Sequence, residues 1–137
     1  EFGYIKKEIK KYTGGSVKLK KFILNAEDAY ACADAGVLRA GAATLSEIAA
    51  AGLPSLLVPY PYATGNHQEE NAKVFAKKNA AVVVRDREFA PQVFVSSLKR
   101  LLNKKTAESI RKNIEKIYKG NGSENIADIL IERVKNG

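Results

Sequence analysis

The segment Arg39-Ala-Gly-Ala-Ala-Thr-Leu-Ser-Glu-Ile-Ala-Ala-Ala-Gly-Leu-Pro54 leaves the chain few ways to fold. Ala35-Gly36-Val37-Leu38 before it reads as a short buried strand, and Ser55-Leu56-Leu57-Val58-Pro59 after it reads as another. Between them small residues open a helix that closes at Gly52, with Pro54 just beyond. Strand, small-residue turn, helix and strand make a βαβ crossover. At its entrance the side chains are small enough for an anion to approach the first N–H groups and the positive end of the helix dipole. The same smallness serves close packing of helix on sheet, and spacing alone leaves both readings open.

The rest of the chain repeats this alternation. Apolar residues at Tyr4, Ile5, Ile9 and Tyr12 have helical spacing, and Thr13-Gly14-Gly15-Ser16 ends that helix. Phosphate loops follow strands, whereas this Gly-Gly precedes one, so it reads as a turn. Val17 to Ile23 alternates as a strand, and Asn25 is placed to cap a helix over about Ala26 to Ala33. Tyr60-Pro61-Tyr62-Ala63-Thr64-Gly65-Asn66 is a loop leaving the C-terminal end of a strand, where open α/β sheets place ligands. A helix from about His67 to Asn79 and a buried strand at Ala80–Val84 follow. Pro91 suits a helix N1, with an apolar face of Val93, Val95, Leu98, Leu101 and Leu102. Further helices are expected over about Thr106–Tyr118 and Ser123–Val134, the last capped by Ser123 with Ile126, Ile129, Leu130 and Val134 as its apolar face. The fold class is α/β with a parallel sheet and flanking helices.

At 137 residues and 45% hydrophobic the chain fits one globular domain. It holds no apolar run of about 18 residues, the length a membrane helix needs. Lys6, Lys7, Lys10 and Lys11 fall inside an amphipathic pattern and not in a signal peptide. A single cysteine, Cys32, permits no internal disulfide, points to a reducing compartment and is expected as a buried structural thiol. The net charge of +8 favours an anionic partner: a nucleotide, a nucleic acid or an acidic membrane. Its lysines are scattered over several helices without an RNA-binding motif or a zinc pattern, which reads as a solvated surface. The chain neither begins with Met nor contains one, as expected of a piece of a longer protein or a processed one.

Two side chains invite chemistry. His67, the only histidine, follows a loop at the presumed ligand edge and is either structural or lines a pocket. Without a second histidine or a cysteine cluster no metal site is expected, and no Ser-His-Asp arrangement follows from the spacing. Thr44-Leu45-Ser46-Glu47 matches a capping box, in which Glu47 folds back onto the Thr44 N–H. If the helix starts instead near Ala42, Glu47 projects one turn in, where a carboxylate can accept bonds from a ribose diol.

The run from Arg39 to Pro54, followed by Val58-Pro59 and then Asn66-His67-Gln68-Glu69-Glu70-Asn71-Ala72, resembles the MurG family. These bacterial peptidoglycan glycosyltransferases move GlcNAc from UDP-GlcNAc to lipid I, which makes lipid II. The similarity runs from about Phe22 to Val84. It implies a two-domain GT-B fold, with residues 1–137 as part of the C-terminal, donor-binding domain. It implies that Ile23 meets the uracil through its backbone and that Ala42, Ala43 and Thr44 offer the helix start to the diphosphate or nearby sugar. Glu47 would hold the ribose hydroxyls, and His67, Gln68 and Asn71 would face the GlcNAc hydroxyls. No cofactor or metal is implied.

The departures from that family carry expectations too. Its donor domain begins with a strand and a glycine-rich turn that contacts phosphate, and two strand–helix units would precede Glu1. The acceptor domain, and with it the general base, would lie elsewhere, so no catalytic residue is assigned here. Lipid I would be met through that domain, with the parent protein peripheral on the cytoplasmic face of the inner membrane. Gly65 stands where an acidic residue is common, which implies a more flexible loop. Val17–Ile23 would be the third strand of the parent sheet and Ala35–Leu38 the fourth. Without the two strands between them, the edge at Ala35–Leu38 would be open and the chain would self-associate or fold poorly. Rival readings are the donor subunit of a split UDP-GlcNAc transferase, such as the eukaryotic dolichol-linked one, and a basic nucleic-acid-binding module. The first reading expects no nucleic-acid partner.

Overall fold

A computed structural model describes residues 5, 6, 9, 17–118, 120 and 122–135. Its elements run α1 (Ala26–Ala31), β1 (Gly36–Leu38), α2 (Ala42–Ala51), β2 (Ser55–Leu57), α3 (His67–Lys77), β3 (Val82–Val83), α4 (Pro91–Leu102), α5 (Lys104–Ile117) and α6 (Gly122–Lys135). Short 3-10 turns at Thr64–Asn66 and Asp86–Glu88 follow the β2 and β3 strand ends. The three strands are parallel in the order β1-β2-β3, with Val37 opposite Leu56 and Leu56 opposite Val82.

β2 is the centre. All three of its residues are buried, as a strand with neighbours on both sides and covered faces requires. Ser55 meets that burial by donating its hydroxyl to the Leu53 carbonyl at 2.9 Å. α4 packs on β2, α3 on β3, and α5 on both α2 and α4. The core they enclose includes Ile48, Leu56, Leu57, Leu101 and Ile114, all fully buried.

Local signals set the helix ends. α2 stops at Gly52, whose φ of 61° is left-handed, and the Gly52 and Leu53 N–H groups donate back to Ala49 and Ile48. α3 stops the same way with Asn79 in place of glycine: φ is 51°, and Asn79 and Ala80 donate to Ala76 and Phe75. Pro91 is at the first position of α4. α5 begins at Lys104, two residues earlier than the periodicity suggests, because the Asn103 side chain accepts from the Thr106 N–H at 3.2 Å.

Several sequence expectations are corrected. Val17–Ile23 is not a strand: the segment pairs with no strand among the described residues, and Phe22 and the following Leu24 are 75% and 90% exposed. Alternation alone cannot make a strand without a neighbour to hydrogen-bond. β1 is therefore an edge of the described sheet. Asn25 precedes α1 but does not cap it; its amide donates to the Asp28 carboxylate at 3.2 Å. Cys32 is exposed, just past the end of a six-residue helix that buries none of its residues. On α4, Leu101 is buried while Val95 and Leu102 face outward. On α6, Ile129, Leu130 and Val134 are exposed, since no element among the described residues covers them.

Of the expected first helix, Ile5, Lys6 and Ile9 are helical. The rest of residues 4–12, the turn at 13–16 and the side chain of Ser123 lie outside the described residues.

The neighbouring leucines of α4 test this packing. Leu101→Ala is expected to cost about 2–5 kcal/mol, as for a fully buried leucine, and Leu102→Ala less than about 1 kcal/mol. Urea unfolding of the two variants measures both, and equal losses would contradict the orientation of α4.

Candidate functional site

At the C-terminal ends of the three strands the backbone ladder closes with Val58 N–H on the Leu38 carbonyl (2.9 Å) and Val84 N–H on the Leu57 carbonyl (3.0 Å), and side chains add further ties. Arg39 leaves β1 and donates Nη1 to the carbonyls of Val58 (3.1 Å) and Pro59 (3.3 Å), just past β2. The same guanidinium pairs with the Asp86 carboxylate beyond β3 and lies 5.5 Å from the Tyr60 ring centroid. One residue thus ties all three strand ends.

A second tie comes from the first turn of α3. The Gln68 side-chain oxygen accepts from the backbone N–H of Ala40 (3.2 Å) and of Tyr60 (3.0 Å). Asn71, one turn later on the same face, donates Nδ2 to the Ala40 carbonyl at 3.2 Å. Ala40 is fully buried and precedes the α2 entrance, so both of its backbone groups are satisfied by amides of α3. The oxygen of Gln68 and the nitrogen of Asn71 are therefore engaged with backbone.

α2 begins at Ala42, with Gly41 extended ahead of it and no side-chain cap. The first intrahelical bond runs from the Leu45 N–H to the Gly41 carbonyl at 2.9 Å. The N–H groups of Ala42, Ala43 and Thr44 precede it and have no intrahelical acceptor. This start excludes the capping box at Thr44, because Thr44 already lies inside the helix. Glu47 instead points across to α1, where its Oε2 accepts from the Tyr30 hydroxyl at 2.8 Å. Burial and then the Glu47 carboxylate hold the Tyr30 phenol above its ordinary value of 10.0. The stability this shift contributes is complete below that ordinary value and is lost as pH rises through the raised one.

Tyr30 and Glu47 line a cavity of about 620 Å³ between α1 and α2, with Leu24, Asn25, Ala26 and Ala50. Ile23 adjoins it in sequence, half-exposed, in an irregular segment and not at a strand end. Ala42 and Ala43 are exposed, Thr44 is half-buried, and His67 is the exposed first residue of α3. Gly65 before it is left-handed (φ 60°), and a side chain there would come within 3.1 Å of the His67 ring. Glu69 is held below the usual carboxylate range by the Asn66 amide at 2.8 Å, helped by Arg85. No group of His, Cys, Asp and Glu among the described residues is arranged to hold a metal.

The strand-end loops thus gather Ala42–Thr44, His67, Gln68 and Asn71, while Glu47 and the segment at Ile23 face the α1–α2 cavity. Sequence reasoning missed Arg39, Asp86 and Tyr30 as members of this site. Arg39 stood in the quoted motif, but nothing local to Tyr30 or Asp86 signals a partner 17 or 47 residues away.

The sequence model described as "Glycosyltransferase family 28 C-terminal domain" matches residues 3–130. A relative from Desulforamulus reducens, named UDP-N-acetylglucosamine–N-acetylmuramyl-(pentapeptide) pyrophosphoryl-undecaprenol N-acetylglucosamine transferase, is 39% identical over 117 residues, covering 85% of this chain and 31% of its own. A relative of the same name from Halothermothrix orenii is 45% identical over 107 residues, 74% of this chain and 28% of its own. Among solved structures, MurG of Acinetobacter baumannii superposes with a TM-score of 0.77 at 28% identity, covering 85% of this chain and 35% of that one. The chain thus spans about a third of the length of the relatives it matches.

The double acceptor role of Gln68 is open to test. Gln68→Ala strands the buried Ala40 N–H and is expected to cost about 1–3 kcal/mol. Gln68→Glu keeps an oxygen for both donors and is expected to retain most of the stability. Urea melts of the pair decide, and equal losses would show that size, not acceptance, matters at this position.

Proposed function

The chain belongs to the glycosyltransferase family 28 C-terminal domain family, and from that membership we propose that residues 1–137 form part of a donor-binding domain. The parent protein is read as an inverting transferase that moves GlcNAc from UDP-GlcNAc to lipid I, making lipid II for peptidoglycan. The observation that carries this reading is the arrangement of α2. Its first turn offers the N–H groups of Ala42, Ala43 and Thr44, and one turn on Glu47 borders a cavity large enough for a nucleoside.

In this reading the uracil meets backbone near Ile23 and the ribose diol binds Glu47. Tyr30 holds Glu47 Oε2 and so orients the carboxylate while Oε1 faces the ribose. The diphosphate lies at the start of α2, where the helix dipole and the N–H groups stabilise the charge that gathers on departing UDP. GlcNAc lies toward His67, the Gln68 nitrogen and the Asn71 oxygen. The acceptor hydroxyl displaces UDP at the anomeric carbon, with its proton taken by a base outside this chain. No cofactor or metal takes part.

The remaining partners follow from the parent's reaction. Lipid I is a membrane lipid, so the parent works peripherally at the cytoplasmic face of the inner membrane, and the +8 charge favours an anionic surface. No helix among the described residues is long and apolar enough to cross a membrane. The β1 edge is read as a place where a second copy can pair.

Calorimetric titration with UDP and UDP-GlcNAc tests the donor reading. Glu47→Gln is expected to weaken UDP binding about tenfold, some 1.4 kcal/mol, with little change in melting temperature. A large stability loss with unchanged UDP affinity would assign Glu47 to Tyr30 alone. Sedimentation should show concentration-dependent association of the chain; a monomer at every concentration would remove the β1 pairing.

A further inference from the structure

The far side of the α3 entrance holds a second cavity that the donor reading does not use. It measures about 480 Å³, within the size range of small-molecule sites, and lies beyond the C-terminal ends of β2 and β3. Tyr60, Tyr62, Asn66, Glu69, Arg85 and Arg87 shape it, with Asp86 at its edge. The α3 entrance divides the two regions. Gln68 and Asn71 turn toward Ala40 and the α2 turn, while Asn66 and Glu69, either side of His67 and Gln68 in sequence, turn toward this cavity.

Its chemistry is specific. The Tyr60 and Tyr62 rings meet edge to face, 5.7 Å between centroids at 72°, and form an apolar corner. Tyr62 is 83% exposed, so that corner is offered to solvent and not consumed by the core. The charged groups carry both signs: Arg85 donates to Glu69 at 3.1 Å, Asp86 is held by Arg39, and the exposed Arg87 lies 3.7 Å from Glu88. A phosphate here would meet the Glu69 and Asp86 carboxylates beside the guanidiniums, a like-charge contact. A hydroxyl both donates and accepts, so it can join a carboxylate and a guanidinium without separating them. An apolar ring face for stacking, flanked by planar groups of both signs, suits a polyhydroxylated pyranose.

We propose that this cavity is a carbohydrate subsite, separate from the donor's, that takes a pyranose with its apolar face on Tyr62 and its hydroxyls among Asn66, Glu69, Arg85 and Arg87. That the sugar is the acceptor's rests on the donor reading: with the donor sugar at Gln68 and Asn71, the ring next to it across the α3 entrance is the one that receives it. The acceptor's sugar is then gripped partly by the donor domain itself.

Amide NMR on the 137-residue chain tests this with N-acetylmuramoyl-L-alanyl-D-isoglutamine as probe, once alone and once with saturating UDP-GlcNAc. In both arms the amides of Tyr60, Tyr62, Asn66, Glu69, Arg85 and Arg87 should shift with the same midpoint. Tyr62→Ala, an exposed change that spares the core, should raise that midpoint at least fivefold and leave UDP-GlcNAc affinity within twofold. Absent shifts, shifts confined to other residues, or a midpoint indifferent to Tyr62 would overturn the subsite. Loss of the probe on adding UDP-GlcNAc would hand the cavity to the donor's own sugar and overturn the acceptor assignment. Failure of UDP-GlcNAc to bind at all would count against the donor reading, while the arm without it still decides the cavity.

Discussion

The Gln68 side-chain oxygen, shared by the N–H groups of Ala40 and Tyr60, is the contact on which the strand-end geometry depends. The sheet has three strands of two or three residues each, and its ladder ends at Val58 and Val84, one residue past β2 and β3. Buried backbone donors must still be satisfied. α3 meets that demand with two amides on one helical face, and Arg39 with a guanidinium reaching three strand ends. The α2 entrance is therefore held by α3, although the two lie almost 30 residues apart.

That dependence shapes how function and stability divide. The same residues that the MurG resemblance assigns to the donor sugar, Gln68 and Asn71, also hold the loop that would receive the diphosphate. Each amide has two ends, and one end of each is bound to Ala40. Glu47 has a parallel arrangement, with one oxygen on Tyr30 and one toward the cavity. In the donor reading, preorganisation of this kind would mean that less ordering accompanies binding.

The described surface is uneven. The β1 edge, the segment around Phe22 and Leu24, and the outer face of α6 expose apolar side chains, whereas β2 and the α4–α5 pair are well covered. The relatives are about three times as long as this chain.

Much of the architecture was legible in the sequence because its signals are local. A left-handed Gly52, a Pro91 at N1, a run of apolar residues at β2 and the 3.6-residue spacing of α5 each act within a few residues of themselves. The Arg39–Pro54 run and Asn66–Asn71 were also read as following strand ends, and they do follow β1 and β2. Other features were decided only when distant segments met. Val17–Ile23 alternates like a strand but lacks a neighbour to pair with. Thr44-Leu45-Ser46-Glu47 spells a capping box, yet the helix begins earlier and Tyr30 takes the Glu47 carboxylate. Cys32 sits in an apolar stretch, but α1 buries none of its residues and Cys32 past its end is exposed. Arg39–Asp86 and Gln68–Tyr60 have no sequence signature, since a hydrogen bond between loops depends on where the sheet delivers their ends, and only the tertiary structure sets that.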